Sequence, residues 1–442
     1  MQAPSVFRRI GPAFIVGACI IGPGSVTLMS RTGALYGYSM IWLSLLSGAL
    51  MAGFIALFMR FGIYCDDTFL GLAGKKLGRW FAVVCGISLF SVDATFQFGN
   101  NLGVTSATEV LFPTVPKTFW PIAFTTAAIL FMFALKNMYR IVEKMMTVFL
   151  VGMFCAFLVN LVWAGPNLPA AIRGAFVPAV PKGVDWVTVG GLVATTFVIV
   201  AAFFQSYLVK AKGWKEKDLP SAATDTVLAS IIYTLIGTVI MMTAAAVLHG
   251  RTTQITFESM VEQLEGIFGR HGKIVFCVGF FSAAFSSFIT NSLIGGVLLN
   301  DGLGLGGRLD SIPTKVCATL VLLIGMTTAI AIIRLEPEPS STPQVVVRTQ
   351  PADQAEPAAP PPAPRDLKVT AIAVGQSATM LAVPFGTIAM LVVLFDRRAT
   401  RGKDLPRWAK AFVLFGAAVL IGIAAVMYVK IKPEVVALLG PG

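Results

Sequence analysis

Residues 17–30 read GACIIGPGSVTLMS, and they interrupt a stretch apolar enough to cross a membrane. Gly22-Pro23-Gly24 is a poor helix interior. Proline removes a backbone donor and clashes with the preceding turn, and glycine adds backbone entropy. In hydrocarbon every N–H and C=O freed in this way must find another partner. A break at mid-membrane is tolerated where the freed backbone lines a cavity, so the trio predicts an internal polar site.

The rest of the chain supports a membrane setting. Of 442 residues, 56% are hydrophobic and 13% charged, against about 25% charged in soluble proteins. Apolar runs at 11–30, 38–59, 81–110, 119–136, 141–163, 186–209, 222–248, 274–299, 313–333, 368–395 and 408–429 predict eleven transmembrane helices, an all-α integral membrane protein. The first run continues into the glycine break without a small-residue cleavage site, so no cleaved signal peptide is expected.

The net charge of +12 lies between the spans, at Arg8, Arg9, Lys75, Lys76, Arg79, Lys136, Arg140, Lys144, Lys210, Lys212, Arg397 and Arg398 among others. The positive-inside rule then puts the N-terminus in the cytoplasm and, after eleven spans, the C-terminus outside the cell membrane. Lipid, not nucleic acid, is the expected partner of this charge.

Six scattered cysteines read as small buried residues, and His249 and His271 share one outer loop. Phosphate loops and zinc spacings are absent from the sequence. No cofactor is expected, and the intramembrane ionisable residues are too few for an enzyme. Residues 336–366, rich in Pro and Ala, predict a disordered loop. Residues 65–80 predict an amphipathic helix on the inner membrane surface, with Leu70, Leu72 and Leu77 on its apolar side and its lysines toward lipid headgroups. Asp225, Asn300 and Asp301 lie near span ends, where capping or surface solvation is expected.

Eleven spans divide as five, five and one within one transmembrane domain over 1–442: a first repeat of about 11–163, a second of about 186–395 and an extra helix at 408–429. In inverted-repeat transporters the first helix of each half is broken. Span one has its break at Gly22–Gly24. Span six opens with Gly190-Gly191 and has no proline near its middle. In span three, Asp93, Gln97 and Asn100 recur at i, i+4 and i+7, so they share one helix face, expected to point into the bundle. An intramembrane carboxylate such as Asp93 marks a functional position.

Three stretches carry a family resemblance. GPAFIVGACIIGPGSVTLMSRTGALYGYSMIWLSLLSGALMAGFIALFMRFGI (11–63) resembles the first two helices of the NRAMP divalent-metal transporters. SSFITNSLIGGVLLNDGLG (286–304) and VGQSATMLAVPFGTIAMLVVLF (374–395) resemble the family's eighth and tenth spans. The resemblance implies a leucine-transporter-like 5+5 inverted repeat plus one helix, with the substrate at the midplane between broken helices.

The departures bear on cargo. In the family's D-P-G-N motif the aspartate and asparagine are metal ligands; those positions are Gly22 and Ser25 here. The family's A-x-x-M-P-H of span six falls on Thr195, Val198, Ile199 and Val200, and a later histidine falls on Gln205. Two acidic residues of the family's proton route in span three fall on Gln97 and Asn100, while the tenth-span glutamine is kept as Gln376. The resemblance therefore implies Gly22, Ser25, Thr195, Val198 and Gln376 around the substrate. It leaves Asp93, Gln97, Asn100 and Gln205 for an altered or lost coupling pathway.

No usual metal-ligand set is retained. Carboxylate oxygen offsets the dehydration of a divalent ion and methionine sulfur favours soft metals, so a bare Mn²⁺ or Fe²⁺ would be poorly held. The expected function is an alternating-access transporter, with a divalent cation as substrate by resemblance. The alternatives are a carrier of a small organic or neutral solute and a non-transporting sensor on the same scaffold. Oligomeric state is left open.

Overall fold

The computed structural model describes residues 11–134, 161–250, 272–335, 366–397 and 405–439, with isolated positions between them. Among these residues all regular elements are helices. The first span is two helices, α1 (Pro12–Ile20) and α2 (Pro23–Tyr36), bent at 54°. The Ile21 N–H closes α1 on the Gly17 carbonyl at 3.2 Å, and Gly22 is extended. Pro23 then opens α2 at the first helical position, where its missing donor costs nothing. The break thus falls at Ile21-Gly22, with Pro23 and Gly24 already inside α2.

The second span is α3 (Ile41–Tyr64), followed by the short α4 (Phe69–Leu77). The third is α5 (Arg79–Leu111) and the fourth α6 (Phe119–Ala134). The expected fifth span, 141–163, lies for the most part outside the described residues, as do residues 336–365 of the expected disordered loop. After α7 (Leu168–Phe176), the sixth span is α8 (Trp186–Thr196) and α9 (Ile199–Lys212). The seventh to ninth are α10 (Leu219–Val247), α11 (Gly272–Gly302) and α12 (Ile312–Leu335). The tenth is bent by 42° between α13 (Leu367–Ala378, extended by a 3₁₀ turn to Leu381) and α14 (Val383–Leu394), and α15 (Arg407–Leu439) is the last. Up to nine described spans are long and apolar enough to cross a membrane. With the shorter α6 they give up to ten of the eleven expected among the described residues, and the fifth falls outside them.

Burial sorts these helices into layers. Windows in the sixth and eighth spans are 94% buried, against 39% for α12 and 33% for α15. The broken helices and α11 therefore form the centre, and α12 and α15 present Leu320, Leu323, Ile421 and Tyr428 outward. That is the order expected where lipid is the outer solvent.

Carboxylates hold helix ends inside this bundle. Asp225 of α10 accepts from the Gly11 and Ala13 N–H groups at 2.6 and 2.9 Å and so caps α1. Asp301, at the end of α11, accepts from Thr68 Oγ1 (2.6 Å), the Leu70 N–H (3.0 Å), the Gly71 N–H (3.3 Å) and the Tyr207 hydroxyl (2.6 Å). This one carboxylate ties α4 and α9 to α11. The amphipathic reading of 65–80 needs correction on its partner: Phe69, Leu70, Leu72 and Ala73 are buried against the protein, Lys75 pairs with Asp67, and Lys76 with Asp396 at 2.5 Å. Its apolar side faces the bundle because α5, α11 and α14 offer a packed surface there.

Candidate functional site

The site is built from backbone that two helices release. α1 stops at Ile20 and α8 at Thr196, leaving carbonyl oxygens without helical partners at both ends. Ser25, in the first turn of α2, donates to the Ile20 carbonyl and lies 3.2 Å from the Thr195 carbonyl oxygen. One hydroxyl thus joins the break of span one to that of span six.

Span six breaks without proline. The Thr195 hydroxyl turns back to the carbonyls of Gly191 (3.0 Å) and Leu192 (3.2 Å), and that of Thr196 to Leu192 (2.8 Å). Such local bonds satisfy the last turn of a helix and compete with its extension. Phe197 (ψ 64°) and Val198 (ψ 80°) then leave the helical region, ahead of the β-branched pair Ile199-Val200. Span ten also bends, at Ala382, and its sequence signal is Pro384 in the first turn of α14.

A cavity lies where these breaks meet. Gly22, Ser25, Thr195, Val198 and Gln376 all line it, and Asn100 of the α5 stripe joins them. Cys19, Ile20, Gly24, Phe96, Ser287 and Asn291 complete the wall. Of these, Cys19 reads from sequence as a packing residue, and Ser287 carries no motif signal. The Cys19 thiol donates to Asn291 Oδ1 at 2.7 Å. The cavity offers a water-sized body about 20 Å³. That is room for one water or a small ion.

Gln376 is held edge-on by two glycines. A Cβ on Gly24 would stand 2.7 Å from Gln376 Cδ, and one on Gly99 would stand 2.9 Å from its Nε2. Its carbonyl oxygen, Oε1, is buried without a hydrogen-bond partner. Every side chain on the wall is neutral. Among the described residues no three His, Cys, Asp or Glu side chains gather to hold a metal. The site therefore offers hydroxyl, amide and carbonyl oxygens at the C-terminal ends of two helices, where the macrodipole is negative.

The α5 stripe leads away from this cavity. Asn100 donates to Gln97 Oε1 at 3.2 Å. Gln97 packs on Gly325 of α12 and Asp93 on Gly295 of α11, so the stripe faces the bundle. Both Asp93 carboxylate oxygens are buried without a hydrogen-bond partner, as is Gln97 Nε2. Gln205 of α9 is fully buried but off the cavity wall, and neither end of its amide has a hydrogen-bond partner.

Comparison with known proteins follows the same lines. The family model for natural resistance-associated macrophage protein-like proteins matches residues 13–347. The divalent metal cation transporter MntH of Yersinia pestis (strain Pestoides F) is 23% identical over 298 residues, covering 66% of this chain and 72% of that protein. The structure of the Eremococcus coleocola manganese transporter, in complex with an aromatic bis-isothiourea substituted compound, superposes with a TM-score of 0.80 at 14% identity. It covers 100% of this chain and 91% of that one. Mhp1, a nucleobase-cation-symport-1 family transporter, shares the fold more distantly, with a TM-score of 0.55 at 11% identity over 97% of this chain and 90% of that one.

Proposed function

The chain belongs to the natural resistance-associated macrophage protein-like (Nramp) family, and on that premise we propose that it carries a small divalent cation across the cytoplasmic membrane by alternating access, through a site of neutral oxygens. The observation that supports this most is the single cavity at which the breaks of spans one and six meet. Two helix C-termini, the Ser25 hydroxyl, the Asn100 amide and the unpartnered Gln376 carbonyl face a space of ionic size. The C-terminal ends of α1 and α8 bring carbonyls and negative dipole ends that favour a cation, while the N-terminal ends of α2 and α9 bring the opposite sign to the same wall. The relatives are named as transporters of divalent metals and of manganese, which makes the divalent class the leading one.

Gly22, Ser25, Thr195, Val198 and Gln376 are the residues assigned to the cargo. Without carboxylate or thioether they suit a hard ion that keeps part of its water shell, as Mg²⁺ does, better than a bare transition metal. The two repeats, about 11–163 and 186–395, are the bodies that rock about the site, with the N-terminus in the cytoplasm. Asp93 is the one carboxylate on the α5 stripe, and we assign it the coupling proton, with Gln97 and Asn100 linking it to the cavity.

Flux in proteoliposomes tests this reading. The expected result is Mg²⁺ uptake that responds to a pH gradient, with no micromolar Mn²⁺ heat in calorimetry. Uptake of organic acids without any cation flux, or no flux of either, would overturn it.

A further inference from the structure

Gly22 is glycine in a backbone conformation that does not require one. Its φ of −113° and ψ of −176° are extended, open to any residue. It is also the N-cap of α2, a position where aspartate and asparagine are favoured and where the helix dipole welcomes negative charge. Local physics therefore favours an acidic side chain at this position. What opposes it comes from another helix: a Cβ built on Gly22 would stand 2.7 Å from Ser287 Oγ and 3.3 Å from Ser287 Cβ.

The Ser287 hydroxyl is held only loosely. It faces the carbonyls of Ala18 at 3.4 Å and Cys19 at 3.5 Å, in the last turn of α1. These distances are long for O–H···O bonds, so the contact that a change of χ1 leaves in place is the 3.3 Å one between the Gly22 Cβ direction and Ser287 Cβ. Beyond it, the Gly22 Cβ direction meets Asn100 Oδ1 at 3.4 Å, so a side chain at 22 would extend along the cavity wall.

We infer that Gly22 and Ser287 form one steric unit, and that Ser287 is the specificity-determining residue that keeps a carboxylate, and with it a dehydrated transition metal, out of the cavity. The cargo part of this inference rests on the cavity being the cargo site. A carboxylate would supply the charge that offsets divalent dehydration, and the Ser287 side chain crowds the space for it.

The test is a binding cycle on the full-length protein purified in detergent, with Mn²⁺ as the probe in calorimetry. It compares wild type, Gly22→Asp, Ser287→Gly and Gly22→Asp/Ser287→Gly. The double variant is expected to bind Mn²⁺ at least about tenfold tighter than either single variant. Equal gain from Gly22→Asp alone would overturn the steric unit, and a folded double variant without gain would overturn the specificity role. Gly22→Asn/Ser287→Gly separates charge from shape; Mn²⁺ binding as tight as that of the aspartate variant would also overturn it.

Should neither aspartate variant fold, thermal unfolding of Gly22→Ala and Gly22→Ala/Ser287→Gly decides the steric claim. A Tm loss in the first that is recovered in the second, relative to Ser287→Gly alone, supports it; no recovery overturns it. Because the readouts are binding and unfolding, a wild type without flux would end the transport reading and leave this cycle intact.

Discussion

Ser25 Oγ lies 3.2 Å from the Thr195 carbonyl oxygen while donating to the Ile20 carbonyl, so a single hydroxyl spans two helix breaks that are remote in sequence. Neither carbonyl has a helical partner, and in a bundle surrounded by lipid neither can turn to bulk water. The hydroxyl satisfies the Ile20 carbonyl of the first break and stands within reach of the Thr195 carbonyl of the second, on the wall of the cavity.

Removing that hydroxyl exposes the arrangement directly. Ser25→Ala leaves the buried Ile20 carbonyl short of its donor and is expected to cost about 1–3 kcal/mol, read as a lower Tm. Cation flux falls with it. Ser25→Thr keeps the hydroxyl and is expected to retain more of both; an alanine variant as stable and active as wild type would refute the bridging role.

Asp93 gives the opposite sign on stability. Its carboxylate is buried without a hydrogen-bond partner, and burial of an unpaired charge is costly. Asp93→Asn keeps the shape and removes the group that can ionise, so the Tm is expected to hold or rise. Flux is expected to lose its response to an imposed pH gradient. A response equal to wild type would remove Asp93 from coupling.

The start of α1 hangs on α10. Asp225→Ala removes the acceptor for the Gly11 and Ala13 N–H groups and is expected to cost about 1–2 kcal/mol in thermal unfolding. Asp225→Asn, which keeps an acceptor oxygen, is expected to recover part of that loss.

Tyr207 links α9 to the end of α11 through its 2.6 Å bond to Asp301. Tyr207→Phe removes this tie while Thr68, Leu70 and Gly71 continue to hold the carboxylate. The half-helix α9 is then freer to move away from the cavity. Faster alkylation of Cys19, a cavity-wall thiol, by a small maleimide is the expected outcome, with Cys19→Ser as the control.

How far these features can be read from the chain depends on the range of the forces behind them. The first break is legible because proline and glycine act on their own turn. The α5 stripe is legible because helical periodicity puts Asp93, Gln97 and Asn100 on one face. The sixth-span break is not legible: Thr195 and Thr196 serve equally well inside a helix, and only their hydroxyl directions reveal the end of α8. The same holds for the segment at 65–80, whose apolar side is plain but whose partner, protein in place of lipid, depends on where α5, α11 and α14 come to lie.

Sequence sufficed for the membrane setting, the broken first helix, the family and the neutral character of the site, since each follows from residue type, local backbone chemistry or motif order. Tertiary structure decided what stands opposite Gly22. Glycine there is compatible with its backbone and silent about its reason; the reason is the Ser287 side chain, brought from α11 by packing. Local chemistry can remove a carboxylate from the cavity wall, but only a long-range contact determines whether one can return.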